Sequence, residues 1–223
     1  MSAAIRWGGP RTGTGRVIVG GGSFIDLGGD GTVQVGGLGS SGFPIPTEGH
    51  LTVMGAGSAV EGFDLARIGL DPAAPPPAAP LQTFGVLVVT DGGRFGDAGS
   101  MTTAGATGTV ELGTGRFGGS LAAGGGGVLS MLADPLDTAT IGEGLRFLPG
   151  ASFLTMGAAS GGGNDRIAVS GDMVVQDGAQ LTLEVLGGMT RFVAGDRFDL
   201  IEAAGGIVVG PGAQVAARVH AAF

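Results

Sequence analysis

Four carboxylates in the last third of the chain, Asp165, Asp172, Asp177 and Glu184, are the side chains closest to forming a reactive set. Carboxylates gathered on one face of stacked strands, often with Arg beside them, can act as acid and base across a glycosidic bond. A simpler expectation competes: acidic residues at Gly-rich corners are solvated turns. Sugar platforms also favour exposed Trp or Tyr, and the chain has one Trp and no Tyr. Its only imidazoles are His50 and His220. His50 stands beside a strand start, where a solvent-facing position suits it better than the role of a base. There is no Cys, hence no thiolate nucleophile, no disulfide and no Cys-ligated metal. Neither G-x-S-x-G nor H-E-x-x-H occurs, and these are the spacings that mark a nucleophile elbow or a zinc protease.

Three other patterns invite chemistry. Residues 160–168, SGGGNDRIA, fit the calcium nonapeptide G-G-x-G-x-D-x-U-x at every position except the first. Calcium in that repeat is caged between successive turns, and the next nine residues, VSGDMVVQD, do not repeat it. Asn164 and Asp165 therefore read as a turn that tips a strand. Gly37, Gly39 and Gly42, and again Gly113, Gly115 and Gly118, match G-x-G-x-x-G. A dinucleotide site needs a helix next, but the first motif leads into FPIP and the second into GSLAAGGGG. Pro77 and Pro80 could present a PxxP ligand, although their setting, DPAAPPPAAPLQ at 71–82, reads as an inserted loop. No catalytic residue, cofactor or metal site is assigned.

The elements that must position these groups are short and alternating. In Ala179-Gln180-Leu181-Thr182-Leu183-Glu184-Val185 the apolar side chains take one face and the polar ones the other, the period of two of a half-buried strand. Similar runs (GRVIV, GTVQV, GHLTV, GVLVV, GTVEL, GLRFL) recur along the chain, with spacings that cluster near 18. A hairpin sandwich could use Asp30-Gly31, Asp91-Gly92 and Asp177-Gly178 as turns. The longer connections, such as 36–49, favour a parallel solenoid in which each unit is one coil. The expected inward set is Val33, Val35, Leu51, Val53, Val110, Leu112, Leu181, Leu183 and Val185. Gln34, Thr52, Glu111, Thr182 and Glu184 should face out.

Composition agrees with a packed, turn-dense β protein. Fifty of 223 residues are Gly, and 43% are hydrophobic, enough apolar surface to fold. No helix-period segment stands out. The net charge of -8 argues against nucleic acid and anionic membranes as partners. No apolar run is long enough to span a bilayer as a helix, and the opening residues are expected to hold no signal peptide.

The run GHLTVMGAGSAVEGFDLARIG, followed by GVLVVTDGGRFGD, resembles the repeats of bacterial exported β-helix proteins. NDRIAVSGDMVVQDGAQLTL and GDRFDLIEAAGGI resemble the C-terminal part of autotransporter passenger domains. The resemblance implies an all-β fold, a right-handed parallel β-helix with almost no helix, forming one elongated domain over 1–223. It implies that the coils of 164–223 act like an autochaperone, and the segment from about 164 to 207 is expected to be the most stable part. It also implies a non-catalytic structural or adhesive module, extracellular on a Gram-negative cell surface. The partners would be a host surface, a glycan or a neighbouring cell, and a translocation barrel, if there is one, would lie outside this chain. A carbohydrate-active β-helix enzyme, a polysaccharide lyase or hydrolase or a tailspike-like protein, is the alternative. An ice-binding solenoid needs Thr rows, and Thr12, Thr14, Thr52, Thr109 and Thr182 do not recur in such a register.

Overall fold

The computed structural model describes residues 4–7, 13–36, 47–70, 84–131, 136–159, 163–186 and 197–220. Among them there is strand and no helix. The loop at 71–82, the first G-x-G-x-x-G motif at 37–42 and the Pro77/Pro80 motif lie outside the described residues.

Strands β1 (Ala4–Trp7) and β2 (Gly13–Val19) come first. Then follow β3 (Phe24–Val35), β4 (Thr47–Met54), β5 (Ala59–Ile68) and β6 (Phe84–Thr90). The next strands come in threes: β7 (Arg94–Phe95), β8 (Met101–Ala104) and β9 (Gly108–Glu111), then β10 (Arg116–Phe117), β11 (Ser120–Ala123) and β12 (Gly127–Ser130). β13 (Thr138–Ile141), β14 (Leu145–Phe147) and β15 (Gly150–Gly157) follow. β16 (Arg166–Val169), β17 (Asp172–Val175) and β18 (Ala179–Leu186) make the next pass. β19 (Ile201–Ala203), β20 (Gly206–Val209) and β21 (Gln214–His220) make the last.

Every pairing between these strands is parallel, in one sheet of thirteen strands and one of eight. The smaller sheet is a single row in the order β2-β4-β6-β9-β12-β15-β18-β21. The larger sheet holds two rows. One runs β7-β10-β13-β16-β19 and the other β8-β11-β14-β17-β20. They join because β5 spans the corner between them and pairs with both β7 and β8. From β7 onward each pass of the chain thus contributes one strand to each of three rows, while β3 and β5 each cover two rows with a single strand.

The hairpin reading fails on this point. Asp91 and Gly92 take positive φ, 53° and 76°, but they turn the chain from one row into the next instead of reversing it. Asp177-Gly178 does the same, and Asp30-Gly31 lies within β3. The period near 18 is not one pass either. Ala59 pairs with Arg94, 35 residues on, Arg94 with Arg116, 22 on, and Ile167 with Ile201, 34 on. The spacing read from the sequence mixed strands of different rows.

Alternation did place the core. Val33, Val35, Leu51, Val53, Val110 and Leu112 are fully buried, Leu181 and Val185 nearly so, and Leu183 packs half-buried against them. Gln34, Thr52, Glu111, Thr182 and Glu184 are only partly covered. Register then turns alternation into columns, since parallel partners stack about 4.8 Å apart. Val17, Leu51, Leu87, Val110, Leu129, Leu154, Leu183 and Ala217 form one inward column through the whole eight-stranded sheet. In the other sheet Phe95 stacks between Phe63, at 4.9 Å between centroids, and Phe117, at 6.1 Å.

A second inward column explains much of the glycine. Gly15, Gly49, Gly85 and Gly108 are successive partners, and Gly127 heads the next strand. A Cβ on Gly85 would run into the Val35 carbonyl oxygen, one on Gly108 into that of Ile68 and one on Gly127 into that of Ala104. The column continues as Ser152, Leu181 and Val215. Side chains enter it where the strand begins earlier: β12 starts at the column residue Gly127, whereas two strand residues precede Ser152 in β15 and Leu181 in β18.

Near the start of the chain, β1 (Ala4–Trp7) pairs with Thr32 through Val35 of β3. Within the segment 164–207, expected to be the stable core, Ile167, Val169, Met173, Val175, Leu181 and Val185 are buried, but the strands at and beyond its end, β20 and β21, are the least buried. Ile207, Val208, Val209, Val215 and Val219 are all more than half exposed, whereas the apolar interior of the middle passes is fully buried.

Candidate functional site

Asp165, Asp172, Asp177 and Glu184 belong to one pass of the chain and ring it. Asp165 precedes β16, Asp172 opens β17, Asp177 sits at the next corner, and Glu184 faces outward from β18. They do not stack into a shared site.

Asp165 is almost completely buried, at 1% exposure. Its Oδ1 accepts the Asp137 backbone N–H at 2.9 Å, and its Oδ2 accepts that of Gly157. Asn164 donates from its side-chain amide to the Asp199 carbonyl at 3.0 Å. The carboxylate therefore ties together three segments of chain, and its lone pairs point at N–H donors. Burial pushes its pKa above the usual aspartate value, against the lowering effect of the backbone N–H groups. Asn164 and Asp165 tip β16 as expected, but Asn164 pairs with Ala158 in an isolated antiparallel bridge instead of lying in a turn.

His50 is half-buried, and its Nε2 lies 2.8 Å from Glu48 Oε1. Glu48 also accepts the Thr14 hydroxyl at 3.1 Å. The His50 contact, and then that hydroxyl, hold the Glu48 carboxyl below its ordinary pKa. This is a surface tie between β2 and β4. His220 is exposed and 3.9 Å from Glu184. The second G-x-G-x-x-G motif, Gly113 to Gly118, forms a corner and runs into the two-residue strand β10, so no helix N-terminus is there to meet a phosphate. Thr109 and Thr182 share an outward column, but Val128 and Phe153 separate them.

The concavity that could take a ligand was not singled out from the sequence. It lies at the corner between the two rows of the larger sheet, with a volume of about 320 Å³, lined by Ser120, Gly142, Glu143, Gly144, Arg146, Ser170, Gly171, Asp172 and Val174. Its origin is local. Leu121, Leu145 and Met173 are successive inward partners, so the residues just before them, Ser120, Gly144 and Asp172, follow one another on the outer side. Gly144 has no side chain and leaves a dip between the other two. Glu143 forms part of the wall: its Oε2 accepts the Ser120 hydroxyl at 3.1 Å and its Oε1 the Gly99 N–H at 2.8 Å. The cleft thus offers two carboxylates, one guanidinium and two hydroxyls, a mixture of donors and acceptors suited to a small polar ligand. Its volume is at the low end for ligand sites. Of the four carboxylates considered from the sequence, only Asp172 reaches it. Glu143 went unnoticed because it stands between two glycines, outside any alternating run.

No family model, curated protein or solved structure matches this chain.

Proposed function

We propose that the chain is a right-handed parallel β-helix serving as a non-catalytic structural or adhesive module on the outside of a bacterial cell, in the manner of an autotransporter passenger. One observation carries the reading: three rows of parallel strands share register from pass to pass, so the apolar columns fill the interior. Such stacking leaves three long outer faces with no internal task, and these are free to meet a surface. The repeat-like runs around 49–97 and 164–207 supply the cellular setting by resemblance. Among the described residues no helix is long and apolar enough to cross a membrane. The test is protease shaving of intact cells that produce the protein, with attachment measured before and after. Loss of the protein together with loss of attachment supports the reading. Protection of the protein until the cells are lysed overturns it.

The cleft beside Gly144 favours a second reading, a carbohydrate-active enzyme with Glu143 and Asp172 as its acid-base groups. Incubation with a glycan panel separates the two. The first reading expects no new reducing ends and no unsaturated products. Product that disappears in both Glu143→Gln and Asp172→Asn establishes the second.

A further inference from the structure

The glycines of the cleft are glycine for different reasons. A Cβ on Gly142 would run into the Gly118 carbonyl oxygen, and one on Gly171 into that of Glu143. The backbone itself excludes a side chain at both. Gly144 is under no such constraint. Its φ lies outside the left-handed region, and an added Cβ would meet the Asp172 carbonyl oxygen at 3.4 Å, Ser120 Oγ at 3.8 Å and Arg146 Nε at 4.0 Å. These are ordinary van der Waals distances, so the fold has room for alanine there. What a side chain at 144 would take away is the open floor of the 320 Å³ cleft.

Opposite charges border that floor. Leu145 pairs with Met173, which sets Gly144 beside Asp172 and Arg146 beside Val174. Arg146 and Asp172 are therefore diagonal neighbours on the outer side, about 8 Å apart between Cα atoms by the rise and spacing of parallel strands. Both are exposed, and among the described residues neither takes part in a hydrogen bond or ion pair. Glu143 is held in place: the Gly99 N–H and the Ser120 hydroxyl bind one of its oxygens each. Each carboxylate oxygen keeps a second lone pair, and a side chain fixed in advance meets a ligand at little cost in entropy.

A matching ligand carries an anionic group for Arg146 and, close to it, a cationic group for Asp172 and Glu143. A neutral sugar offers neither charge, a uronate only the anion and an amino sugar only the cation. An α-amino acid has both on one carbon. We propose that the cleft over Gly144 binds a free α-amino acid, its carboxylate on Arg146 and its ammonium between Asp172 and Glu143. The two acidic residues are then binding groups and not an acid-base pair. Two carboxylates against one guanidinium leave the cleft negative, so a basic side chain suits it better than an acidic one. The proposal rests on the cleft alone, and its failure leaves the surface-module reading untouched.

Isothermal titration calorimetry of the purified 223-residue chain tests it with L-lysine, L-alanine and L-glutamate. Lysine is expected to bind at one site, alanine more weakly and glutamate most weakly. Nα-acetyl-L-lysine lacks the ammonium and L-lysine methyl ester the carboxylate. Each should bind about tenfold more weakly than lysine, as should lysine to Arg146→Gln or Asp172→Asn, for the loss of one charged hydrogen bond. Gly144→Val fills the floor and should abolish binding; Gly144→Ala replaces it if the valine variant lacks the wild-type β signal in circular dichroism. D-galacturonate and D-glucosamine serve as the sugar controls. Absence of binding by all three amino acids overturns the proposal. So does lysine binding that survives Arg146→Gln or the filled floor, equal binding of the acetylated or esterified form, or glutamate binding more tightly than lysine. Tighter binding of either sugar would assign the cleft to carbohydrate instead.

Discussion

Asp165 Oδ1 receives the backbone N–H of Asp137 at 2.9 Å, joining residues 28 apart in sequence and fixing the entry into β16. The same side chain holds Gly157 through its other oxygen. Asp165→Ala leaves these buried donors without acceptors, at a cost of about 1–3 kcal/mol for each. Asp165→Asn keeps one acceptor but turns an amide N–H₂ toward the other donor, so it is also destabilising. Urea titration measures both, and an unchanged midpoint would show that the clamp contributes nothing.

Glu111 faces outward from β9, half-buried among neighbouring strands, and burial raises its pKa above the ordinary value of 4.5. Its charged form is therefore disfavoured in the folded state. With the folded pKa above the unfolded one, its contribution is largest below about pH 4.5 and is lost as pH rises through the folded pKa. Glu111→Gln should melt at the same or a higher temperature than wild type at pH 7, and the difference should vanish in acid. A variant that melts clearly lower at pH 7 would mean that the carboxylate is held by a favourable partner.

The glycine column makes a steric prediction. Gly85→Ala drives a methyl into the Val35 carbonyl oxygen and the Gly69 N–H, both parts of backbone that cannot swing aside. Overpacking of this kind costs about 1–3 kcal/mol or more. On the same column Ser152→Ala, where the strand begins two residues earlier, loses only the bond to the Ala123 carbonyl, or about 1 kcal/mol. Equal effects from the two substitutions would show that the backbone contact at Gly85 is not what excludes a side chain there.

Burial sets where amide hydrogens exchange last. Leu87, Val110, Leu129 and Leu154 are fully enclosed between neighbouring passes, whereas Val215 and Val219 have no strand beyond them among the described residues. We expect the slowest exchange in β6, β9, β12 and β15 and fast exchange in β21. Leu129→Ala should cost about 2–5 kcal/mol, and Val219→Ala in the isolated chain much less. Mass spectrometry that finds the strongest protection at 164–207 would restore the expectation drawn from the sequence.

What could be read in the sequence was whatever period two can carry. Val33 and Val35 face in and Gln34 faces out because neighbouring side chains on a strand point to opposite sides, a purely local rule. Strand runs in which β-branched or Leu residues alternate, such as GTVQV and GHLTV, were therefore found, and their register was correct. Strands such as Arg94–Phe95, Met101–Ala104 and Ser120–Ala123 have no such alternation. They are strands because partners above and below complete their hydrogen bonds. Missing them hid the third row and made two strands of one pass look like two passes.

The candidate site divides in the same way. Local residue order was enough to put Asp177 at a Gly-rich corner and Asn164 and Asp165 just ahead of a strand. It took the packing of whole passes to bury Asp165 against three segments, and to point Asp172, Asp177 and Glu184 away from one another around a single pass. The same packing set Glu143, Gly144 and Asp172 around one cleft. The reason is that a residue's row depends on the lengths of all the corners before it, and corner lengths here vary from pass to pass. Side-chain direction along a strand is set by its immediate neighbours, but proximity between passes is set by the accumulated path of the chain.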